Sequence, residues 1–235
     1  MRSACDEIYA RLRKAYAINM ERFVISSADP GNFFEFLVAV VLSQNTSDAN
    51  ASKALARLKA RLGRITPEGL VSLPEEEVAE LIRPAGMHVR RARVLRELAR
   101  ALSGGSGEAL ASKLRSMPPE RAREALMELP GVGKKTADVV LLMFFNMPRF
   151  PVDTHIARVT ERLGMARSRN YDEVSRAWSS CLSPEHFFEA HILLIEHGRT
   201  TCRARRPLCD ACVLRDLCAY GGGLGKGKAV EKAGE

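Results

Sequence analysis

Four of the six cysteines in the chain lie within one short stretch near its C-terminal end. They are Cys202, Cys209, Cys212 and Cys218, in the spacing Cys-x6-Cys-x2-Cys-x5-Cys. Four thiols this close together are typical ligands of a metal ion or a metal–sulfur cluster, whereas two disulfides in so small a loop would be a poor arrangement. Zinc is one interpretation, although four-cysteine zinc sites more often use two separated Cys-x2-Cys pairs and only one is present here.

A second stretch with the residue types of a binding site runs from Leu129 to Asp138. Pro130 ends a preceding helix, because its ring fixes φ and it has no N–H group. Gly131 and Gly133 then permit a tight turn, and an apolar helix follows. The first amide groups of a helix have no partner within it, so they form a site for an anion. In a basic chain we expect that anion to be a nucleic acid phosphate.

Two side chains in and after this turn are suited to covalent chemistry. Lys135 is expected near the helix N-terminus, beside Lys134 and in a partly apolar setting, and each feature disfavours the charged ammonium form. An uncharged amine is a nucleophile. Asp153 follows 18 residues later, in the sequence Val-Asp-Thr-His. Its carboxylate can accept a proton, but it also stands directly before a predicted helix, so it is equally suited to cap that helix.

The elements that would position these residues are helical almost throughout. Apolar residues recur at helical spacing, and no segment has the alternation expected of a strand. The main predicted helices are an amphipathic one around Ile8 to Tyr16, an apolar one over Phe33–Leu42, and others over Ala49–Leu62, Val89–Leu102 and Asp153–Leu163. Six polar residues, from Ser43 to Asp48, interrupt the series. The sequence therefore predicts an all-α protein.

The composition narrows the class of protein. The 235 residues are 46% hydrophobic, which is enough for a sizeable core. Lys and Arg total 36 against 28 acidic residues, giving a net charge of +8 that points to a polyanionic partner. No run of about 18 apolar residues could span a membrane, and the N-terminus has no apolar signal core. We therefore expect an intracellular protein, in which Cys5 and Cys181 are free thiols.

The hairpin, Lys135 inside it, Asp153 in Val-Asp-Thr-His and the cysteine spacing together resemble one protein family. They resemble the endonuclease III branch of the helix-hairpin-helix/Gly-Pro-Asp DNA glycosylases, over about residues 20–220. The resemblance implies two helical lobes with a DNA-binding cleft between them. One is a six-helix lobe over residues 26–147 that ends in the helix-hairpin-helix motif. The other is discontinuous, from residues 1–25 plus 148–220, and carries the cysteines. Residues 221–235 are expected to be a disordered basic tail.

The activity implied by the resemblance is that of a bifunctional DNA glycosylase and AP lyase in base excision repair. Lys135 would displace an oxidised pyrimidine from duplex DNA and form a Schiff base with the sugar C1′, and β-elimination would then nick the strand. Asp153 would accept a proton or stabilise the sugar. The four cysteines would hold a 4Fe–4S cluster. The partner would be double-stranded DNA with damaged bases or abasic sites, and the protein would be a monomer in the cytoplasm or nucleoid of a prokaryote.

The resemblance also implies a set of DNA contacts. A polar side chain, Gln44 or Asn45, would fill the gap left by the extruded nucleotide, and the sequence leaves open which of the two does so. Asp138 is expected to pack or pair within the site. The other predicted contacts are Met87 and His88 in a wedge loop, Gly131, Val132, Gly133 and Lys134 in the hairpin, His155, and Arg203, Arg205 and Arg206 beside the cysteines. A lone histidine such as His155 is more often structural than functional.

Three alternatives stand beside this interpretation. The first is a monofunctional glycosylase for mismatched thymine or uracil, whose relatives place another residue where Lys135 stands. The second, an adenine-mismatch glycosylase, also lacks that lysine and adds a recognition domain of which residues after 220 show no trace. The third is a non-catalytic iron–sulfur DNA-binding module, which would keep the hairpin and the cysteines but would not need Lys135 and Asp153.

Overall fold

The structure, a computed structural model, describes residues 4–222, and within that range it is helical and contains no strand. The all-α prediction is therefore confirmed. Residues 223–235, which make up most of the predicted tail, lie outside the described residues. The chain divides into two compact units, one continuous over Asn19–Met147 and one that joins the segment up to Ile18 to the chain from Pro148 onward. No helix in the described range is long and apolar enough to cross a membrane.

The continuous unit has eight α-helices. They are α2 (Phe33–Ser43), α3 (Asp48–Leu62), α4 (Pro67–Ser72), α5 (Glu75–Leu81), α6 (His88–Leu102), α7 (Ser106–Arg115), α8 (Pro119–Met127) and α9 (Lys134–Met143). The resemblance implies a six-helix lobe, and two of the eight helices, α4 and α5, are short ones that begin at or directly after a proline, Pro67 and Pro74. The unit begins at Asn19 and not at the predicted residue 26, because Val24 is already buried in its core.

Helix α2 is the centre of this unit. All ten residues from Phe33 to Leu42 are buried, including Glu35, whose carboxylate is 2.7 Å from the Lys59 Nζ atom. The side chain of Asn32 caps the helix by accepting a hydrogen bond from the Glu35 amide, and it also donates to the carbonyl of Ile65. A helix that is fixed at its start and buried on all sides holds the polar segment at its C-terminal end in a defined place.

Helices α8 and α9 form the two arms of the predicted hairpin. A buried ion pair joins them, with 3.1 Å between the Arg123 Nε atom and a carboxylate oxygen of Asp138. The prediction that Asp138 pairs within this region agrees with that contact. Helix α8 ends at Met127, before the predicted end at Leu129. A charge buried with its partner is costly to uncouple, so the pair fixes the arrangement of the two arms.

The discontinuous unit contains the remaining α-helices. They are α1 (Ala4–Ala15), α10 (Thr154–Leu163), α11 (Tyr171–Ser179) and α12 (Phe187–Thr200). Helix α12 packs against both α1 and α10. The only tryptophan of the chain, Trp178, is buried, stacks on Phe150 and donates a hydrogen bond to the Thr160 hydroxyl. Burial of this large ring and satisfaction of its N–H group fix α11 on α10.

The prediction that Cys5 and Cys181 are free thiols is wrong. The structure joins them in a disulfide, with their Cα atoms 5.8 Å apart, a spacing that a disulfide spans readily. The two residues are separated by 176 positions in the sequence, so no local spacing could reveal the pair. Only the packing of α1 against the C-terminal part of the chain brings them together.

Candidate functional site

The hairpin places two adjacent lysines at the start of α9. Lys134 is exposed, whereas Lys135 is half-buried, although they are consecutive residues. The helix turns the next side chains inward, so Thr136 and the residues after it are buried. Gly133 precedes Lys134 as the N-cap residue and has no side chain, so another molecule can approach the backbone closely at this end of α9.

The two hairpin glycines differ in whether the fold itself requires them. Gly131 has a φ of +77°, and a Cβ atom there would stand 2.3 Å from the Cγ1 atom of Val94. The fold itself therefore requires glycine at this position. Gly133 has extended backbone, with φ −97°, and a Cβ atom there would meet nothing within 4 Å. The described structure thus offers no internal reason for glycine at Gly133.

Gln44 and Asn45, the two candidates for filling a duplex gap, have different surroundings. The side-chain amide of Gln44 donates hydrogen bonds to the Gly131 carbonyl and to the Thr136 hydroxyl, both at 3.1 Å. Asn45 is exposed and has a φ of +53°, in the left-handed region that asparagine tolerates better than most residues. The structure therefore brings Gln44 to the hairpin and leaves the side chain of Asn45 facing solvent.

The predicted wedge lies immediately before α6. Met87 is the N-cap residue of that helix, with a φ of +47° and with 53% of its surface exposed. His88, the first residue of α6, is half-buried. An exposed methionine in a left-handed conformation is unusual for a residue that serves only as core filler.

Asp153 is the N-cap residue of α10. Its Oδ1 atom accepts a hydrogen bond of 2.8 Å from the amide of Ile156, so the capping role that the sequence left open is real. His155 contacts the guanidinium of Arg158 through its Nδ1 atom, and its Cβ lies so close to Gly198 that a side chain there would collide with it. His155 therefore has a packing role within its unit.

The four clustered cysteines line one hollow in the discontinuous unit, together with apolar residues such as Val159 and Leu214. None of the four is in a disulfide. Burial raises the pKa of the Cys212 and Cys218 thiols, and iron or another cation would favour their thiolate forms. Four thiols around one partly apolar hollow are a ligand set that a metal ion or a metal–sulfur cluster takes.

Sequence reasoning missed two side chains that contact the cysteine sulfurs. The Arg162 guanidinium on α10 lies 3.4 Å from the Cys202 Sγ atom and donates a 2.7 Å hydrogen bond to the Arg203 carbonyl. His197 on α12 is buried, with its Nε2 atom 3.8 Å from the Cys212 Sγ atom, and burial lowers its pKa to about 4. The apolar run before His197 predicts burial of this part of α12, but no signal marks Arg162.

The loop that holds the cysteines also carries three exposed arginines. They are Arg203, Arg205 and Arg206. Arg203 donates a hydrogen bond of 2.7 Å to the carbonyl of Thr200, at the end of α12. The contacts of Arg162 with the backbone of this loop hold its first residues in place. Three cations on a fixed loop form a surface suited to a polyanion.

Two family models match the chain. The HhH-GPD superfamily of base excision DNA repair proteins matches residues 38–184, which include the hairpin, Lys135 and Asp153. The iron–sulfur binding domain of endonuclease III matches residues 202–218, which run from the first clustered cysteine to the last. The second match identifies the group expected at the cysteines as an iron–sulfur cluster.

Curated relatives and a solved structure agree with these matches. Endonuclease III of Sulfolobus acidocaldarius is 36% identical over 92% of this chain and 95% of the relative. Endonuclease III of Escherichia coli K12 is 38% identical over 80% of this chain and 83% of the relative. A structure of a trapped endonuclease III–DNA covalent intermediate superimposes with a TM-score of 0.71, at 33% identity and 93% coverage of both chains. The chain therefore belongs to the HhH-GPD superfamily and, within it, to the endonuclease III family of base excision repair DNA glycosylases with AP lyase activity.

Proposed function

We propose that the protein removes oxidised or ring-saturated pyrimidines from double-stranded DNA and then nicks the strand through a Schiff base on Lys135. The observation that carries this proposal is a half-buried amine in the first turn of α9, beside a hairpin turn open to close approach. A glycosylase that only hydrolyses the glycosidic bond needs an activated water and has no use for this amine. The similarity to a structure of a trapped covalent endonuclease III–DNA intermediate supports the proposal.

In the proposed reaction, the Lys135 Nζ atom attacks C1′ of the damaged nucleotide and the bond between C1′ and the base breaks. Asp153 accepts the proton that the attacking amine loses. The sugar ring opens to give a Schiff base with Lys135, loss of a C2′ proton expels the 3′ phosphate, and hydrolysis then frees the lysine. Asp153 uses Oδ1 for the cap of α10, so its second oxygen is the one assigned to proton transfer.

For the gap left in the duplex, we assign Asn45 as the side chain that enters it. Gln44 is the weaker candidate, because its side-chain amide already bonds to Gly131 and Thr136. The exposed side chain of Asn45 needs no such contact broken. Met87, exposed at the start of α6, is assigned as the wedge, with His88 beside it. Insertion of such side chains offsets the cost of unstacking the nucleotide.

We assign the iron–sulfur group as a 4Fe–4S cluster held by Cys202, Cys209, Cys212 and Cys218. Four cysteines that line one hollow are a ligand set that a 4Fe–4S cluster takes. Four-cysteine zinc sites more often use two separated Cys-x2-Cys pairs, and the spacing here contains only one such pair. The bound cluster would order the loop that presents Arg203, Arg205 and Arg206 to the DNA backbone.

The hairpin offers a test of the proposed phosphate contact. Replacing Gly133 by alanine should leave the free energy of unfolding unchanged, because the new Cβ atom meets nothing within 4 Å. The same methyl group should block a phosphate at the start of α9, so affinity for abasic duplex DNA should fall about 10-fold, or about 1.4 kcal/mol. Fluorescence anisotropy with a labelled duplex measures the affinity, and urea denaturation measures the stability.

Gly131→Ala is the matched comparison for that experiment. Its Cβ atom would collide with Val94, and its φ is positive, so this variant should lose stability as well as affinity. If Gly133→Ala binds DNA as tightly as the wild type, no phosphate sits against that backbone.

The proposed function is tested with a duplex that carries one abasic site, incubated with the protein and then treated with borohydride. A covalent protein–DNA adduct is expected, because borohydride reduces the Schiff base to a stable amine. The duplex should also be nicked when borohydride is omitted. A second duplex with a single oxidised pyrimidine should release the base, whereas one with a thymine mismatch should not. Tight binding with neither adduct nor nick would point to a binding module instead.

We further propose that the protein acts as a monomer inside the cell, on double-stranded DNA with a damaged base or an abasic site. The net charge of +8 supports the polyanionic partner. Light scattering of the free protein and of its complex with a short duplex tests the stoichiometry. A mass of two protein chains in the free state would contradict the proposal.

A further inference from the structure

We propose that Arg91 is a positioning residue that fixes the loop carrying Asn45 and the loop carrying Met87 relative to each other. The inference rests on the proposed function only in taking these two loops as the ones that enter the duplex. Arg91 lies on α6, one turn after Met87, and is 4% exposed. A buried arginine needs a partner for its charge and for its N–H groups, so its contacts reveal what it holds.

The contacts of Arg91 reach both loops. Its Nη1 atom donates to the carbonyls of Ala85 and Gly86, at 2.6 and 2.8 Å, and these two residues directly precede Met87. Its Nη2 atom donates to the carbonyl of Gln44, the residue before Asn45. One planar guanidinium therefore bridges the backbone of Gln44 to that of Ala85 and Gly86, which lie 41 and 42 residues further along the sequence. In each loop one bonded carbonyl, that of Gln44 or that of Gly86, belongs to the residue immediately before the proposed inserting side chain.

The charged guanidinium of Arg91 is stabilised by its hydrogen bonds to these backbone carbonyls, and no carboxylate in the described range forms an ion pair with it. A carboxylate could hold the guanidinium but would tie it to only one place. The N–H donors of a guanidinium have a fixed planar arrangement, so their bonds to carbonyls on two loops set the distance between those loops. The single ammonium group of lysine cannot reproduce this arrangement. These contacts are therefore those of a residue that positions the two loops relative to each other.

The connection extends from Arg91 to the hairpin through Gln44. The Gln44 carbonyl accepts from Arg91, while its side-chain amide donates to Gly131 and Thr136. Gln44 thus joins the hairpin turn to Arg91, and Arg91 joins Gln44 to the residues before Met87. Three segments that the proposed function brings to DNA are linked by hydrogen bonds within the continuous unit.

The variant that tests this inference is Arg91→Lys, which keeps the charge but cannot bridge the same carbonyls. The probe is a duplex with a tetrahydrofuran abasic analogue and 2-aminopurine as the base opposite it. Entry of the two side chains unstacks the aminopurine and raises its fluorescence. At a saturating protein concentration we expect the wild type to raise the aminopurine fluorescence. The increase with Arg91→Lys should be at least about 5-fold smaller, because loops that are not held in position relative to each other insert poorly.

Arg96→Lys is the matched control. Arg96 lies on the same helix and makes one hydrogen bond of 3.4 Å, to the carbonyl of Val71. It should give the same fluorescence as the wild type. A conservative second variant, Gln44→Met, keeps the carbonyl that Arg91 uses and removes the amide that reaches the hairpin. It should give an intermediate signal, because it breaks one link of the two. Thermal melting of every variant separates loss of insertion from loss of the fold.

Full aminopurine fluorescence with Arg91→Lys would overturn the inference. A loss of signal shared by Arg96→Lys would also overturn it, because it would show a general effect of weakening α6. The result does not depend on catalysis, since the tetrahydrofuran analogue cannot form a Schiff base. The proposed function is judged separately by borohydride trapping on a true abasic site. Wild-type protein that inserts but forms no adduct would refute the proposed reaction and leave the role of Arg91 standing.

Discussion

Lys135→Ala is expected to abolish both strand nicking and the borohydride adduct while the protein still binds abasic duplex DNA. Removing the only group that forms a covalent bond should lower the rate by on the order of 10⁴-fold or more, as found when a nucleophile is deleted. The side chain is half-buried at the helix surface, so its loss should cost little stability. Gel separation of nicked strands in single-turnover reactions gives the rate.

Two further variants sharpen this test. Lys135→Arg keeps a positive charge in the first turn of α9, but a guanidinium stays protonated and cannot form a Schiff base. It should bind DNA as the wild type does and form no adduct. Lys134→Ala addresses the neighbouring amine, which is exposed. An adduct that survives in Lys135→Ala and disappears in Lys134→Ala would show that the nucleophile is Lys134 and would contradict our proposal.

Asp153→Asn is expected to lower base excision by about 100-fold to 1000-fold with no loss of stability. Asparagine caps a helix as well as aspartate does, so the hydrogen bond to the Ile156 amide is kept. The amide cannot accept the proton that the carboxylate is proposed to take, and general-base catalysis contributes about this much. Thermal melting and single-turnover excision of an oxidised pyrimidine measure the two effects on one sample.

Asp153→Ala separates the cap from the chemistry. It removes both, so it should show the same loss of excision and, in addition, a loss of about 1 kcal/mol in the free energy of unfolding. Were Asp153→Asn to excise the base at the wild-type rate while Asp153→Ala did not, Asp153 would act as a cap alone. Its proposed part in proton transfer would then be withdrawn.

The sequence predicted those structural features that are determined by residues close together in the chain. Helical spacing located α2, α3 and α6 to within a residue or so at each end, because an apolar face at the helical period needs no knowledge of its partner. Residues Pro130, Gly131 and Gly133 marked the hairpin for the same reason, since proline and glycine act on the local backbone. The spacing of the four cysteines was by itself enough to indicate a site for a metal ion or a metal–sulfur cluster.

What the sequence could not predict depends on contacts between distant segments. Cys5 and Cys181 carry no signal of their pairing, because only the packing of the discontinuous unit brings them together. Arg91 is one of five arginines in the sequence of α6, and only its three carbonyl contacts distinguish it from the others. The proposed choice of Asn45 over Gln44 rests in the same way on a tertiary contact, the hydrogen bonds of the Gln44 side chain to the hairpin.

The division of the chain into a continuous and a discontinuous unit sets an order of events during synthesis on the ribosome. The unit over Asn19–Met147 emerges in one piece and can fold as soon as it is complete. Helix α1 is made first but must wait for α12, its main packing partner. Cys5 likewise waits for Cys181, 176 residues later, which takes roughly 9 to 35 s at elongation rates of about 5–20 residues per second. During that time the apolar side chains of Ile8 and Leu12, which are buried in the folded protein, have no packing partner to cover them.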